Sequence, residues 1–568
     1  MRPPLRAVSP VPPLAMALLA GVLTGCAKEL PPLPLRPQPV PWADTLPIPE
    51  PPEQDEERPI RVLTVQVPYD MSEPFRVGEG EALNLTHFDD VVSSSWWERR
   101  MGYEAITPER LAAGAEGPDA APDTEGVLTV KGAKVGGVTA GFVLEDAKGD
   151  TYIVKFDHHD WPYLQSGAGV AVNRLMWGAG YWVPADYVGT LDAADLTVDE
   201  EAEIDDGGED RPMTMDDVRA VLELARPLPD GRYRFLASKF VPGVPKGPFF
   251  MSGTRDDDPN DHFHHEHRRE LRALRVVSAW LNNTDAREGN TLDVWVDPPG
   301  HLRHYIIDFA AAMGSSTDRP KHPKDDVERP ADFWRGLKRI ASLGLYREGW
   351  ENDPHPVEDP AIGFIKAETF DPDEWKSAWD NPAFFAMTEA DGYWAAKIVA
   401  SFTDAHIRAA VEQGHYPERW QVDTLTRVLA YRRDRVVGRW FSSVTPLEEP
   451  RVTAQDVSGL TLSFRDLGIE EGVWEPGATR YRWTLSHQAR GLELGGEGAA
   501  RAGEQSLVVR WNRETPARVP EGRGALAVLR VLAIRDVYYM DDEKPRAATV
   551  WLRRDDTTGR YTVAGLEH

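Results

Sequence analysis

The chain has 568 residues, 41% of them hydrophobic and 19 of them tryptophan, enough for roughly two to four domains with full cores. A formal charge of −28 and a pI near 5.0 argue against a nucleic-acid partner, because a phosphate backbone would be repelled unless one face were locally basic, and no sustained basic run occurs. The only cysteine, Cys26, leaves no intrachain disulfide to form.

Arg2 and Arg6 precede an apolar run from Leu14 to Leu23 that is too short for a stable membrane span, so residues 1–26 read as a cleaved secretion signal. The ending Leu23, Thr24, Gly25, Cys26 resembles the lipobox of bacterial lipoproteins. That resemblance implies lipidation of Cys26 and anchorage in the cell envelope. Ala27 stands where an Asp would retain a lipoprotein at the inner membrane, which favours the outer membrane. Residues 27–58 are dense in proline and read as an extended, semi-rigid spacer. Residues 59–125 form an N-terminal extension with an alternating strand over Ile60 to Val67; Trp96, Trp97 and Tyr103 read as packing.

A short strand starts at Leu128, a glycine-rich turn carries Gly136, Gly137 and Gly141, and a hairpin strand carries Lys155 between Val154 and Phe156. Glycines let backbone N–H groups approach phosphate oxygens, and a strand lysine adds a point charge to the same phosphates. Downstream, Asp285 is followed five residues on by Asn290, and the apolar run Tyr305, Ile306, Ile307 ends in Asp308. A carboxylate, an amide and a second carboxylate in this layout suit phosphoryl transfer, with Asp285 taking the proton of an attacking hydroxyl and Asn290 and Asp308 offering oxygens to Mg²⁺.

Together these features resemble the kinase-like fold, most nearly HipA-type kinases and phosphatidylinositol-kinase-like catalytic domains, over roughly residues 126–430. The resemblance implies ATP and Mg²⁺ as cofactors, Lys155 on the nucleotide phosphates, Asp285 as the catalytic carboxylate and Asn290 with Asp308 on metal. Active kinases usually pair the strand lysine with a glutamate on the next helix. Here the expected helix, Gln165 to Trp177, has no acidic residue, and Gly169 stands near the glutamate's place. ATP is also scarce outside the cytoplasm. The alternative reading is therefore a catalytically inactive, pseudokinase-like binding or scaffold lipoprotein.

An acidic segment at Asp199–Asp210 reads as a solvated loop, and Arg232–Gly243 as a strand and turn leading to a hinge. The Asp/His cluster at 256–267, with His262, His264, His265 and His267, reads as helix capping and ion pairing, with a metal-dependent hydrolase site as a third option. The helix beginning at Arg268 is expected to bury Leu271, Leu274, Val277 and Trp280 and turn its arginines away. Trp350, Trp375, Trp379 and Trp394 read as packing in a helical lobe. From Val444 strand-like runs return. The expected fold is thus α+β: a two-lobed kinase-like domain over 126–440, then a β-sandwich-like domain over 446–568 with no evident chemistry.

Overall fold

The structure, a computed structural model of the chain, describes residues 43–54, 80–134, 139–205, 210–329, 333–343, 345–352, 359–487, 492–499, 505–510, 526–535, 545–555 and 557–568. Cys26, the expected strand at Ile60–Val67, Gly136 and Gly137 lie outside the described residues. Among the described residues no helix is long and apolar enough to cross a membrane.

Helix α1 (Pro108–Ala113) precedes a sheet-rich N-terminal lobe. Its strands are β1 (Leu128–Ala133), β2 (Gly141–Glu145), β3 (Thr151–Phe156), β4 (Asp186–Leu191), β5 (Leu196–Val198) and, after the ribbon β6 (Glu203–Asp205) and β7 (Asp210–Pro212) and helix α3 (Met215–Glu223), β8 (Tyr233–Lys239). The six-stranded order is β4-β8-β3-β2-β1-β5. Alternation divides its two faces. Tyr152, Val154 and Phe156 enter one apolar core with Leu128, Phe142 and Phe235, while Ile153 and Lys155 take the opposite face. The acidic segment expected to be a plain loop contributes β6 and β7 instead.

Helix α2 (Leu164–Gly178) links this sheet to the helical half, and every one of its residues is buried. Asp157 fixes its start by accepting from the Ser166 backbone at 2.9 Å and the Ser166 hydroxyl at 2.6 Å. Close approach demands small residues along it. A Cβ on Gly167 would lie 2.6 Å from the Tyr416 ring, one on Gly169 2.9 Å from Leu236 of β8, and one on Gly178 2.6 Å from Leu111.

Strands β9 (Val244–Pro245), β10 (Thr291–Val296) and β11 (His301–Ile306) form a second sheet, and helix α4 (Arg269–Leu281) packs against a helical region. That region holds α5 (Phe333–Ala341), α6 (Pro382–Phe385), α7 (Glu389–Ala400), α8 (Asp404–Glu412) and α9 (Arg419–Ser443). The expectation that α4 turns its arginines away is corrected here. Arg269 and Arg272 are fully buried because Asp89 and Asp391, distant in sequence, reach them at 2.7–3.2 Å. The acidic residues ahead of α4 do not cap it either: Arg268 is the N-cap, with no side-chain cap bond, and Asp261 pairs with His265 and Arg268.

The C-terminal region has two antiparallel sheets, one of β12 (Leu447–Asp456), β13 (Gly459–Asp466) and β16 (Ser506–Arg510), the other of β14 (Thr479–His487), β15 (Leu492–Ala499), β17 (Leu526–Arg535), β18 (Ala548–Arg554) and β19 (Tyr561–Glu567). They contribute to one apolar cluster that includes Leu447, Phe464, Trp483, Leu529 and Leu552. His568 binds the Asp89 carboxylate at 3.0 Å, tying the end of the chain to the N-terminal extension. Part of the stretch expected to be a free spacer also lies against the body. Asp44 is buried and accepts from the Ser95 hydroxyl at 2.8 Å, and Glu50 pairs with Lys246 at 2.6 Å.

Candidate active site

Helix α4 stops at Asn282, whose left-handed φ of +54° is a conformation that Asn tolerates better than most residues. The chain then turns so that Asp285 and Asn290 meet. The Asn290 amide nitrogen donates to the Asp285 carboxylate at 2.9 Å and to its backbone carbonyl at 2.7 Å. This leaves the amide oxygen as the atom of Asn290 available to a cation. The other Asp285 oxygen accepts from the Arg287 guanidinium at 3.1 Å and from the Trp379 indole at 2.9 Å. Trp379, expected only to pack, therefore holds the carboxylate in place. Burial raises the Asp285 pKa and the nearby Asp308 charge adds to this, against the opposing pull of Arg287, Asn290 and Trp379.

Asn290 reaches towards Asp308 through its backbone, its carbonyl accepting from the Ile307 N–H at 3.0 Å. Asp308 ends the run after β11 with φ +59°, a left-handed turn that aims its carboxylate at β3. There it pairs with the Lys155 ammonium at 2.8 Å while 38% of its side chain stays accessible. Burial alone would raise the Asp308 pKa, but the charge and hydrogen bond of Lys155 hold it below the ordinary carboxylate value. Lys155, Asp285, Asn290 and Asp308 thus gather at one place.

The glycine-rich turn contributes less of what can be described. Gly141 begins β2 opposite Lys155, and a Cβ there would lie 2.1 Å from the Val154 carbonyl, so close strand approach by itself demands glycine. Lys134, just before the turn, is half-buried and near both Lys155 and Asp308. Burial and repulsion from Lys155 lower its pKa. From α2, the Gln165 amide donates to the Phe156 carbonyl and lies 3.4 Å from the Thr139 hydroxyl.

Sequence reasoning missed three further groups. Lys321, 3% exposed, donates to the Thr284 hydroxyl at 2.6 Å and the Ala311 carbonyl at 3.0 Å; burial pulls its pKa down to about 8 against the attraction of Asp325, Asp326 and Asp285. Asp186 on β4 is buried beside Ser238 and is pushed up to about 7, chiefly by desolvation. Arg287 carried no sequence signal beyond its place in the loop. Lys321 and Asp186 were illegible because their neighbours come from other elements.

The Asp/His cluster is mostly committed elsewhere. His265 is buried between Asp261, at 2.7 Å, and the Phe250 carbonyl. His264, Glu266 and His267 can bring ligand atoms within 4.8 Å of one another, but Glu266 accepts from the Gly253 N–H at 2.7 Å and His267 is 2.8 Å from Arg272.

No family model and no curated protein matches the chain. Among solved structures it is similar to the Helicobacter pylori proinflammatory kinase CtkA, at 13% identity and TM-score 0.29 over 56% of this chain and 97% of the other. It is also similar to the Golgi casein kinase, at 10% identity and TM-score 0.28 over 70% of this chain and 97% of the other. Both overlaps are distant, and the functional reading rests on the side chains of the cleft.

Proposed function

We propose that the chain is a cell-envelope lipoprotein, anchored through Cys26, whose kinase-like domain binds a nucleoside triphosphate with Mg²⁺ and transfers phosphate to a hydroxyl acceptor. The observation that carries this reading is the Lys155–Asp308 pair at 2.8 Å, set beside an Asp285 carboxylate held by Asn290. On this reading the Lys155 ammonium would meet phosphate oxygens. Asp285 is fixed by three donors and its raised pKa suits a group that accepts a proton from an attacking hydroxyl. Asp308 and the Asn290 oxygen would hold Mg²⁺, which would neutralise charge on the phosphates in transfer. We read the C-terminal sheets as a sandwich-like module without chemistry of its own.

One observation favours a second reading, a pseudokinase-like binding module: α2 has no carboxylate, and a Cβ added at Gly169 would already press on the Leu236 side chain at 2.9 Å. Asp285→Ala separates the two. The active reading expects radiolabel transfer from ATP to be lost, by at least about 100-fold given the usual contribution of a positioned acid or base, with nucleotide binding kept. A wild type that binds nucleotide but transfers nothing supports the second reading.

A further inference from the structure

Lys155 needs an anion to hold it once Asp308 is committed to a cation, and α2 supplies none. The register of the sheet brings one from elsewhere. Asp186 on β4 lies opposite Ser238 on β8, and Ser238 lies opposite Ile153 on β3. Lys155 follows Ile153 by two positions on the same face, so Asp186, Ser238 and Lys155 all point to the side of the sheet that α2 covers.

Asp186 is 2% exposed, and its Oδ1 accepts from the Ser238 hydroxyl at 2.6 Å. A carboxylate buried with a neutral donor is costly unless a cation compensates it. Two cations lie within electrostatic reach, Arg174 and Lys155. Arg174 is the stronger of the two, but its hydrogen bonds go to neutral acceptors, the Ala112 carbonyl and the Asn173 amide oxygen, each at 2.8 Å, and it lies 5.3 Å from the Tyr187 ring. Among the described residues, Lys155 is the cation whose charge acts on both Asp186 and Asp308, and Asp308 has it at 2.8 Å.

We infer that Asp186 is a positioning residue that takes the place of the absent helix glutamate, holding Lys155 against phosphate when Asp308 turns to metal. This rests on the reading of the cleft as a nucleotide site. The carboxylate comes from the sheet instead of the helix.

The test is a double-mutant cycle on the purified full chain, with Mg·ATP binding by calorimetry and phosphotransfer as readouts. Groups that orient a ligand-binding residue are worth about 10- to 100-fold. Asp186→Asn is expected to cost that much in kcat, in KM or in nucleotide affinity, and Asp186→Glu to restore part of it. In a Lys155→Met background, Asp186→Asn should cost nothing further, because its effect passes through the lysine. A merely structural aspartate would give equal losses in both backgrounds, and that result overturns the inference, as does an Asp186→Asn protein as good as wild type. If wild type takes up no Mg·ATP, the nucleotide reading itself fails and carries this inference with it; if wild type binds and only the Asp186 arm is silent, the nucleotide reading stands alone.

Discussion

Two sets of buried or half-buried carboxylates in this molecule are treated in opposite ways. Asp391 sends one oxygen to Arg269 at 2.9 Å and the other to Arg272 at 3.2 Å, and also accepts from the N–H of Thr388, the N-cap of α7, at 2.9 Å. Asp293 is held between Arg255 at 2.9 Å and His304 at 2.6 Å, and Asp261 between His265 and Arg268. Burial pushes Asp261 up, but its hydrogen bond to His265 and the charges around it hold it well below the usual carboxylate range. Around Lys155, Asp285 and the buried Asp186 are both raised by desolvation, and the Lys155 charge acts on Asp186 and Asp308 alike. Where charge is fully compensated the cluster holds elements together. Where compensation is short, our proposal expects an added cation to supply what is missing.

Breaking a saturated cluster should have the largest effect on folding. Arg269→Met takes a cation from two buried carboxylates, leaving Asp391 with Arg272 and Asp89 with His568, and removing one partner of such a network costs about 3–5 kcal/mol, read as a lowered midpoint in urea. The same readout for Asp308→Asn should move by at most about 1 kcal/mol, since that pair is partly open to solvent.

An effect of opposite sign is expected at Asp186. Its folded pKa, near 7, lies above the ordinary carboxylate value of 3.8, so the ionised form is disfavoured in the fold. The penalty is absent below about pH 4, grows as pH rises towards 7 and levels off above it. Asp186→Asn should therefore raise the melting temperature relative to wild type at pH 8 and leave it nearly unchanged at pH 4. A lower melting temperature at pH 8 would place Asp186 with the saturated set. At the bottom of the scale, Arg219→Ala removes a surface partner of Asp216, and no measurable change in melting temperature is expected.

The residues legible in the sequence were those whose meaning is local. Lys155 stood out because a charged residue broke an apolar strand, and Asp285, Asn290 and Asp308 because one loop and one strand end carry them. Asp186 was not legible, since its relation to Lys155 exists only through the β4-β8-β3 register. Trp379 looked like packing because its indole N–H reaches Asp285 across 94 residues. The arginines of α4 were misplaced for the same reason: amphipathic spacing puts charge outside unless distant carboxylates come to meet it, and Asp89 and Asp391 do. The absent glutamate was legible, and the close seat of α2 beside Leu236 was not.

Calorimetric titration of Mg·ATP into wild type and Asp308→Asn tests the central claim most directly. The account predicts one Mg²⁺-dependent site in wild type, worth about 2.7 kcal/mol of added stability at a hundredfold excess over Kd, and its loss in the variant while the fold persists. No uptake by wild type, or equal uptake by Asp308→Asn, would contradict it.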